Sequence, residues 1–281
     1  MDVNYRYKPL RYFVIVGLIT WSAILTAAWY SYQLASPSNR LLMSLFIYIG
    51  MLTPFCTAVW LIFTSGNAEL KRDFWSRVFN LKRIRIRYIP AILFTVPAIA
   101  AVSILLSTLF GEPLGQFGLV KGALYATGAI PAPFILFGAA LFEELGWKGY
   151  AMDSLRSKLN FFNACLAFSL FWIFWHLPLF FVDDFYCNIL WKISLLYALN
   201  YCVSIAATGF LTCWLWYKNK GCILAAVLVH ASANFQGIFQ MGQIAKCIET
   251  VLMILVIIII ISNNREMYFS KPSGKIGQFS E

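Results

Sequence analysis

The sequence predicts an all-α, polytopic membrane helical bundle, and three observations carry that expectation. The first is composition. Of 281 residues, 60% are hydrophobic and 12% charged, and the mean hydropathy is +0.72. A soluble domain carries about 25% charged and roughly 45–50% apolar residues, and a single core stops growing near about 250–300 residues. The excess must face lipid, which argues against a soluble enzyme, a disordered scaffold or a disulfide-stapled secreted domain. The second is length. The apolar residues fall in eight runs, at 10–32, 40–64, 87–110, 131–152, 159–182, 190–217, 221–243 and 246–263. Each is close to or longer than the roughly 20 residues that cross about 30 Å of hydrocarbon. The third is charge. With N- and C-termini cytoplasmic, eighteen of the 22 Lys and Arg, Lys275 among them, lie inside; Arg40, Lys121, Lys192 and Lys246 lie outside. That is the positive-inside bias, and it places the chain as a multi-pass protein of the cell (plasma) membrane.

Taken in order, the run 10–32 is too long for the apolar region of a signal peptide, about 7–15 residues, and reads as a span. The run 40–64 returns the chain inward. Asp73–Tyr88 is basic, with Phe74, Trp75, Val78 and Phe79 interleaved. It reads as an interfacial helix whose stretch 71–87 meets anionic lipid on the inner leaflet, rather than as a nucleic-acid site. Three later runs carry the sequences ILFGAALFEELGWKGYAM, LFWIFWHLPLFF and ILAAVLVHASANFQG. The last run, VLMILVIIIIIS, is apolar all round. No repeat or linker interrupts the chain, so residues 1–281 read as one integral membrane domain. Seven cysteines without a CxxC read as small packing residues. Asp183 and Asp184 read as a solvated outer loop, and Asn160, Asn163 and Asn200 as helix–helix hydrogen bonds.

The chemistry resides in a few ionisable groups. Of twelve carboxylates, only Glu143 and Glu144 sit well inside a run, and so do both histidines, His176 and His230. A charge at mid-membrane costs about 2.5–3.5 kcal/mol on insertion scales, so four such groups suggest one shared site. Residues four apart share a helix face. That pairs Trp172 with His176, His230 with Asn234, and Glu144 with Lys148. The last pair has the favourable order for an ion pair and leaves Glu143 free to act as a base. A carboxylate in an apolar pocket takes a proton from water and returns it to a leaving amine. A histidine shares that water, and a second histidine with an amide donates to a developing oxyanion. The set suits peptide hydrolysis without a covalent nucleophile. Two His and a Glu are also a known catalytic zinc set, so Glu143, His176 and His230 are the alternative metal ligands, although no His-Glu-x-x-His is present.

Three motifs stand in order: Glu143-Glu144-Leu-Gly-Trp-Lys148, Trp172-Ile-Phe-Trp-His176 and His230-Ala-Ser-Ala-Asn234. With the flanks EELGWKGY and WHLPLFF, they resemble the CPBP family of intramembrane proteases, which includes the type II CAAX prenyl endopeptidases and the bacterial abortive infection proteins. The resemblance covers about residues 70–240, the motif-bearing protease core. It implies Glu143 as general base, His176 as its partner on the water, His230 and Asn234 as the oxyanion pocket, and Glu144 and position 148 as orienting groups. It implies a membrane peptide or protein substrate, prenylated or bacteriocin-like, and no required cofactor, with zinc as the alternative. The family's arginine is Lys148 here, which keeps the charge and loses the planar fork. That departure motivates a rival expectation, a catalytically silent scaffold or bacteriocin-immunity protein of the same fold. A proton-coupled carrier is a third, since carboxylates and histidines in spans also relay protons.

Overall fold

A computed structural model describes residues 5–121, 131–271 and 279; Lys275 lies outside them. Among the described residues all regular structure is helical, apart from one isolated antiparallel bridge between Leu119 and Phe239. The long helices are α1 (Pro9–Ser31) and α2 (Pro37–Phe63), followed by the short α3 (Ala68–Phe79). Then come α4 (Ile89–Ser107) and α5 (Ala132–Gly146), which runs through a π-helical turn at Trp147–Ala151 into α6 (Met152–Arg156). The chain continues through α7 (Phe161–His176), α8 (Tyr186–Ile193), α9 (Leu195–Lys218), α10 (Ile223–Phe235), α11 (Gln243–Asn263) and α12 (Arg265–Phe269). Among the described residues six helical segments are long and apolar enough to cross a membrane: Pro9–Ser31, Pro37–Phe63, Ile86–Phe110, Phe161–Phe181, Leu195–Lys218 and Gln243–Asn263.

The other two expected spans depart from that pattern for physical reasons. The continuous helix of α5, the π turn and α6 is long enough, but it carries Glu143, Glu144, Lys148, Asp153 and Arg156. The seventh run ends early as a helix. α10 stops at Phe235, tightens into a 3-10 turn at Gln236–Ile238, and hands its chain to the bridge. There Val120 N–H donates to Ile238 O at 2.9 Å and Gln240 N–H to Gly118 O at 2.9 Å. The sixth run is also divided. Ser194 is extended and separates α8 from α9, and its hydroxyl accepts from Leu196 N–H as the cap of α9.

Helix packing depends on satisfying what proline leaves open, because lipid supplies no hydrogen-bond partners. Pro54 lies inside α2 and has no N–H for Gly50 O. Thr20 of α1 donates its hydroxyl there at 3.2 Å and accepts Trp175 Nε1–H of α7 at 2.9 Å. Tyr12 donates to Pro54 O at 3.1 Å. Likewise Pro178 has no N–H to offer Phe174 O, which accepts from Trp21 Nε1 at 3.1 Å. Two proline defects thus bind α1, α2 and α7 together.

Close approach comes from two glycines of the first motif. A Cβ at Gly146 would stand 2.6 Å from Pro54 Cβ and carbonyl oxygen, and one at Gly149 would stand 2.7 Å from the Phe74 ring. α5 therefore lies on α2, and the π turn lies on α3. That second contact shows that the expected interfacial segment buries one face against the bundle. Phe74 and Arg77 of α3 are fully buried, whereas Trp75 and Phe79 are 42% and 72% exposed. Of the expected helix–helix asparagines, Asn200 donates to Lys246 O between α9 and α11, at 3.4 Å. Asn160 instead caps α7, accepting from Asn163 N–H at 2.9 Å, and Asn163 is exposed. The seven cysteines are free thiols. Asp183 is paired with Lys192 at 2.6 Å on the surface, and that hydrogen bond holds its carboxyl below the usual carboxylate range.

Candidate active site

α5 supplies Glu143 and Glu144 near its C-terminal end, α7 supplies Trp172 and His176, and α10 supplies His230 and Asn234. Glu143 is buried, and its Oε2 accepts from Trp172 Nε1 at 3.0 Å and from Trp147 Nε1 at 3.4 Å. Among the described residues no donor is bonded to its Oε1. Glu144 is fully buried between two partners. Its Oε1 lies 3.1 Å from His230 Nδ1, and its Oε2 lies 3.2 Å from Lys148 Nζ. The lysine contact is one of charge rather than an aligned hydrogen bond. Its ammonium also stands 4.1 Å from the centre of the Phe168 ring, a cation–π contact that partly replaces lost hydration.

His176 closes α7. Its Nδ1 lies 2.8 Å from Trp172 O. A carbonyl only accepts, so Nδ1 carries the proton, and in the neutral ring Nε2 keeps its lone pair. The ring meets Trp175 at 4.7 Å and Tyr201 at 6.1 Å between centroids. His230 meets Trp172 edge-on at 5.0 Å. Asn234 donates from Nδ2 to Leu136 O of α5 at 3.2 Å. Six of the seven residues singled out in the sequence therefore join one connected network, and Asn234 stands beside it, bonded to α5 and lining the same cavity. Trp172 ties Glu143 to both rings, and Glu144 ties Lys148 to His230.

The network borders a cavity of about 430 Å³ between α7, α9, α10 and α11. Trp172, His176, His230 and Asn234 line it; Glu143 lies behind Trp172 and is not among the lining residues. Among the described residues no hydrogen bond joins Glu143 to His176. The alternative metal set does not close either. Among the described residues no three His, Cys, Asp or Glu side chains come together as metal ligands, and no step below passes through a metal.

Uniform helices running the full length of their runs would leave His176 near one end of its run and His230 far inside its own. The early stop of α10 removes that mismatch. His230 lies five residues before Phe235, about 7.5 Å at the helical rise, so both rings sit close to the same ends of their helices.

Several contributors lie outside the motifs. Arg77 is buried beneath the π turn. It donates to Lys148 O and Gly149 O, each at 3.1 Å, and pairs with Asp153 at 2.5 Å and Asp73 at 2.9 Å. The guanidinium thereby takes up carbonyls at the widened turn, where the ordinary ladder is broken, and fixes the backbone carrying Lys148. Its only sequence signal is a position within a basic stretch, which reads as surface. Tyr201, Gln236, Lys246 and Glu249 line the cavity. Glu249 stands in the second turn of α11 and accepts from Gln236 Nε2 at 2.5 Å. Its place near the end of an apolar run hid it among span-end carboxylates.

Residues 125–236, which contain the whole network, match the family described as Type II CAAX prenyl endopeptidase Rce1-like. The chain is also similar to CAAX prenyl protease 2 of Methanococcus maripaludis. The two are 38% identical over 272 residues, covering 96% of this chain and 99% of that protein.

Proposed function

The chain belongs to the Rce1-like type II CAAX prenyl endopeptidases, and on that premise we propose that it hydrolyses a peptide bond of a prenylated, membrane-associated protein substrate by glutamate-activated water. The carrying observation is the convergence of three helices on one cavity edge, with Trp172 N–H on Glu143 and His230 on Glu144. Glu143 takes a proton from water through the oxygen not held by the indoles. His176 Nε2 accepts the other hydrogen and aims the water. The nucleophilic oxygen adds to the scissile carbonyl. The developing oxyanion takes hydrogen bonds from Nε2–H of His230, which acts as an imidazolium because its Nδ1–H goes to Glu144, and from the second N–H of the Asn234 amide, whose first is spent on Leu136 O. Collapse breaks the C–N bond, and Glu143 returns its proton to the leaving amine. No Ser, Cys or Thr nucleophile enters this sequence of steps, and no cofactor is used.

Glu144 and Lys148 act through position. The ion pair holds Glu144 ionised, and Glu144 holds the His230 ring. The exposed Trp75 and Phe79, with the exposed basic side chains Arg72, Lys82 and Arg87, rest on anionic lipid of the plasma membrane. Purified, lipid-reconstituted protein tests the reading with a prenylated C-terminal peptide. Glu143→Gln, His176→Ala and His230→Ala each lower cleavage by about 10²-fold or more, and the thermal midpoint of Glu143→Gln holds. Cleavage by Glu143→Gln at the wild-type rate contradicts it.

A further inference from the structure

Lys246 is the one lysine or arginine among the residues lining the cavity beside His176, His230 and Asn234. Its ammonium stands 2.9 Å from the Tyr186 hydroxyl and 4.7 Å from the centre of that ring. Among the described residues no carboxylate forms an ion pair with it. Glu249, the one carboxylate lining the same cavity, is turned to the Gln236 amide instead. Lys246 also lies in the first turn of α11, where the helix dipole adds positive potential. Asn200 donates to its carbonyl and holds this turn against α9.

Glu249 acts on Lys246 through its charge without closing an ion pair, and a cation so placed in a partly enclosed cavity attracts a further anion more strongly than one in open water. Its distance from the proposed chemistry limits what that anion is. From Lys246 the wall runs through Tyr186, then Tyr201 at 5.7 Å between ring centroids, then His176 at 6.1 Å from Tyr201. Three extended residues span about 10 Å, which is shorter than this path along the wall and leaves room for a short peptide end between Lys246 and His176. Resting on the function proposed above, we propose that Lys246 binds the free C-terminal carboxylate of the substrate. It thereby selects chain ends over internal peptide bonds and sets how many residues are removed. The Tyr186 hydroxyl gives up the ammonium to the incoming carboxylate.

The test measures binding, not turnover, on the intact detergent-solubilised protein. The probe is one prenylated Cys-aliphatic-aliphatic-Ser peptide, prepared as the free acid and as the C-terminal amide. The wild type and Glu143→Gln are each expected to bind the acid about tenfold or more tightly than the amide. Lys246→Met should lose that preference by weakening only the acid, and Lys246→Arg should keep it. Equal affinity for acid and amide in the wild type overturns the assignment, as does failure to bind either. An equal loss of both peptides in Lys246→Met, as expected of a lysine that holds lipid phosphate or merely packs, also overturns it. Binding to the wild type is read before turnover and binding to Glu143→Gln at equilibrium, so a failed water mechanism and a failed carboxylate site remain distinguishable.

Discussion

Lys148 is buried with its charge shared between the Glu144 carboxylate and the face of Phe168. Removing one member of a buried pair costs about 3–5 kcal/mol, because the other charge is left uncompensated. Lys148→Met is therefore expected to lower the thermal midpoint sharply, and cleavage with it through the loosened His230. Lys148→Arg keeps the charge and should cleave at a rate comparable with the wild type, since Glu144 asks for a cation and already gives its other oxygen to His230. Parallel melting curves and peptide-cleavage rates for the two variants check this. A Lys148→Met protein as stable and as active as the wild type would show that the pair orients nothing. Arg77 belongs to the same layer. Its four contacts on Asp73, Asp153, Lys148 O and Gly149 O make it a positioning residue for the turn beneath the site.

Among the elements, the π turn at Trp147–Ala151 decides how α5 meets its neighbours. Gly146 touches the backbone of α2 at Pro54, and Gly149 touches the Phe74 ring of α3. Added carbons in packed interiors cost about 1–3 kcal/mol or more. Gly146→Ala meets unyielding backbone and should destabilise more than Gly149→Ala, which meets a side chain; thermal unfolding of both variants in one detergent orders them. The motif partners were readable before the fold, because four-residue spacing on a helix forces Glu144 toward Lys148 and places His230 with Asn234. Most span positions were readable too, since lipid demands long apolar runs. The end of α10 was not, because Gly237–Met241 stays largely apolar and the stop comes from a bridge to Leu119, over a hundred residues earlier. Ser194 splits α8 from α9 for a similar reason, a local backbone choice inside a run of unbroken hydropathy. Arg77, Lys246 and Glu249 escaped because their partners lie on other helices, and a charge near a span end looks the same whether it faces water or a cavity.

Across the whole molecule, the basic segment and the cavity occupy opposite ends of the bundle. Arg77 meets the end of α5 near Lys148, and Arg85 N–H reaches Asn219 at the C-terminal end of α9. The cavity is lined by the opposite halves of α9, α10 and α11. The positive-inside bias leads us to expect the basic end at the cytoplasm and the cavity in the outer half of the membrane. With the native cysteines replaced, a cysteine at the exposed Gln240 should react with an impermeant maleimide in intact cells, and one at the exposed Ser270 should not; the reverse pattern inverts the topology. The claim on which the rest depends is that Glu143 turns water, and no side-chain nucleophile, onto the amide. Single-turnover cleavage in ¹⁸O-labelled water, quenched at intervals and read by intact-protein mass, addresses it directly. The expected result is one ¹⁸O in the new C-terminal carboxylate, with the protein mass unchanged at every time and no product from Glu143→Gln. A transient protein mass raised by the peptide's acyl portion would contradict it.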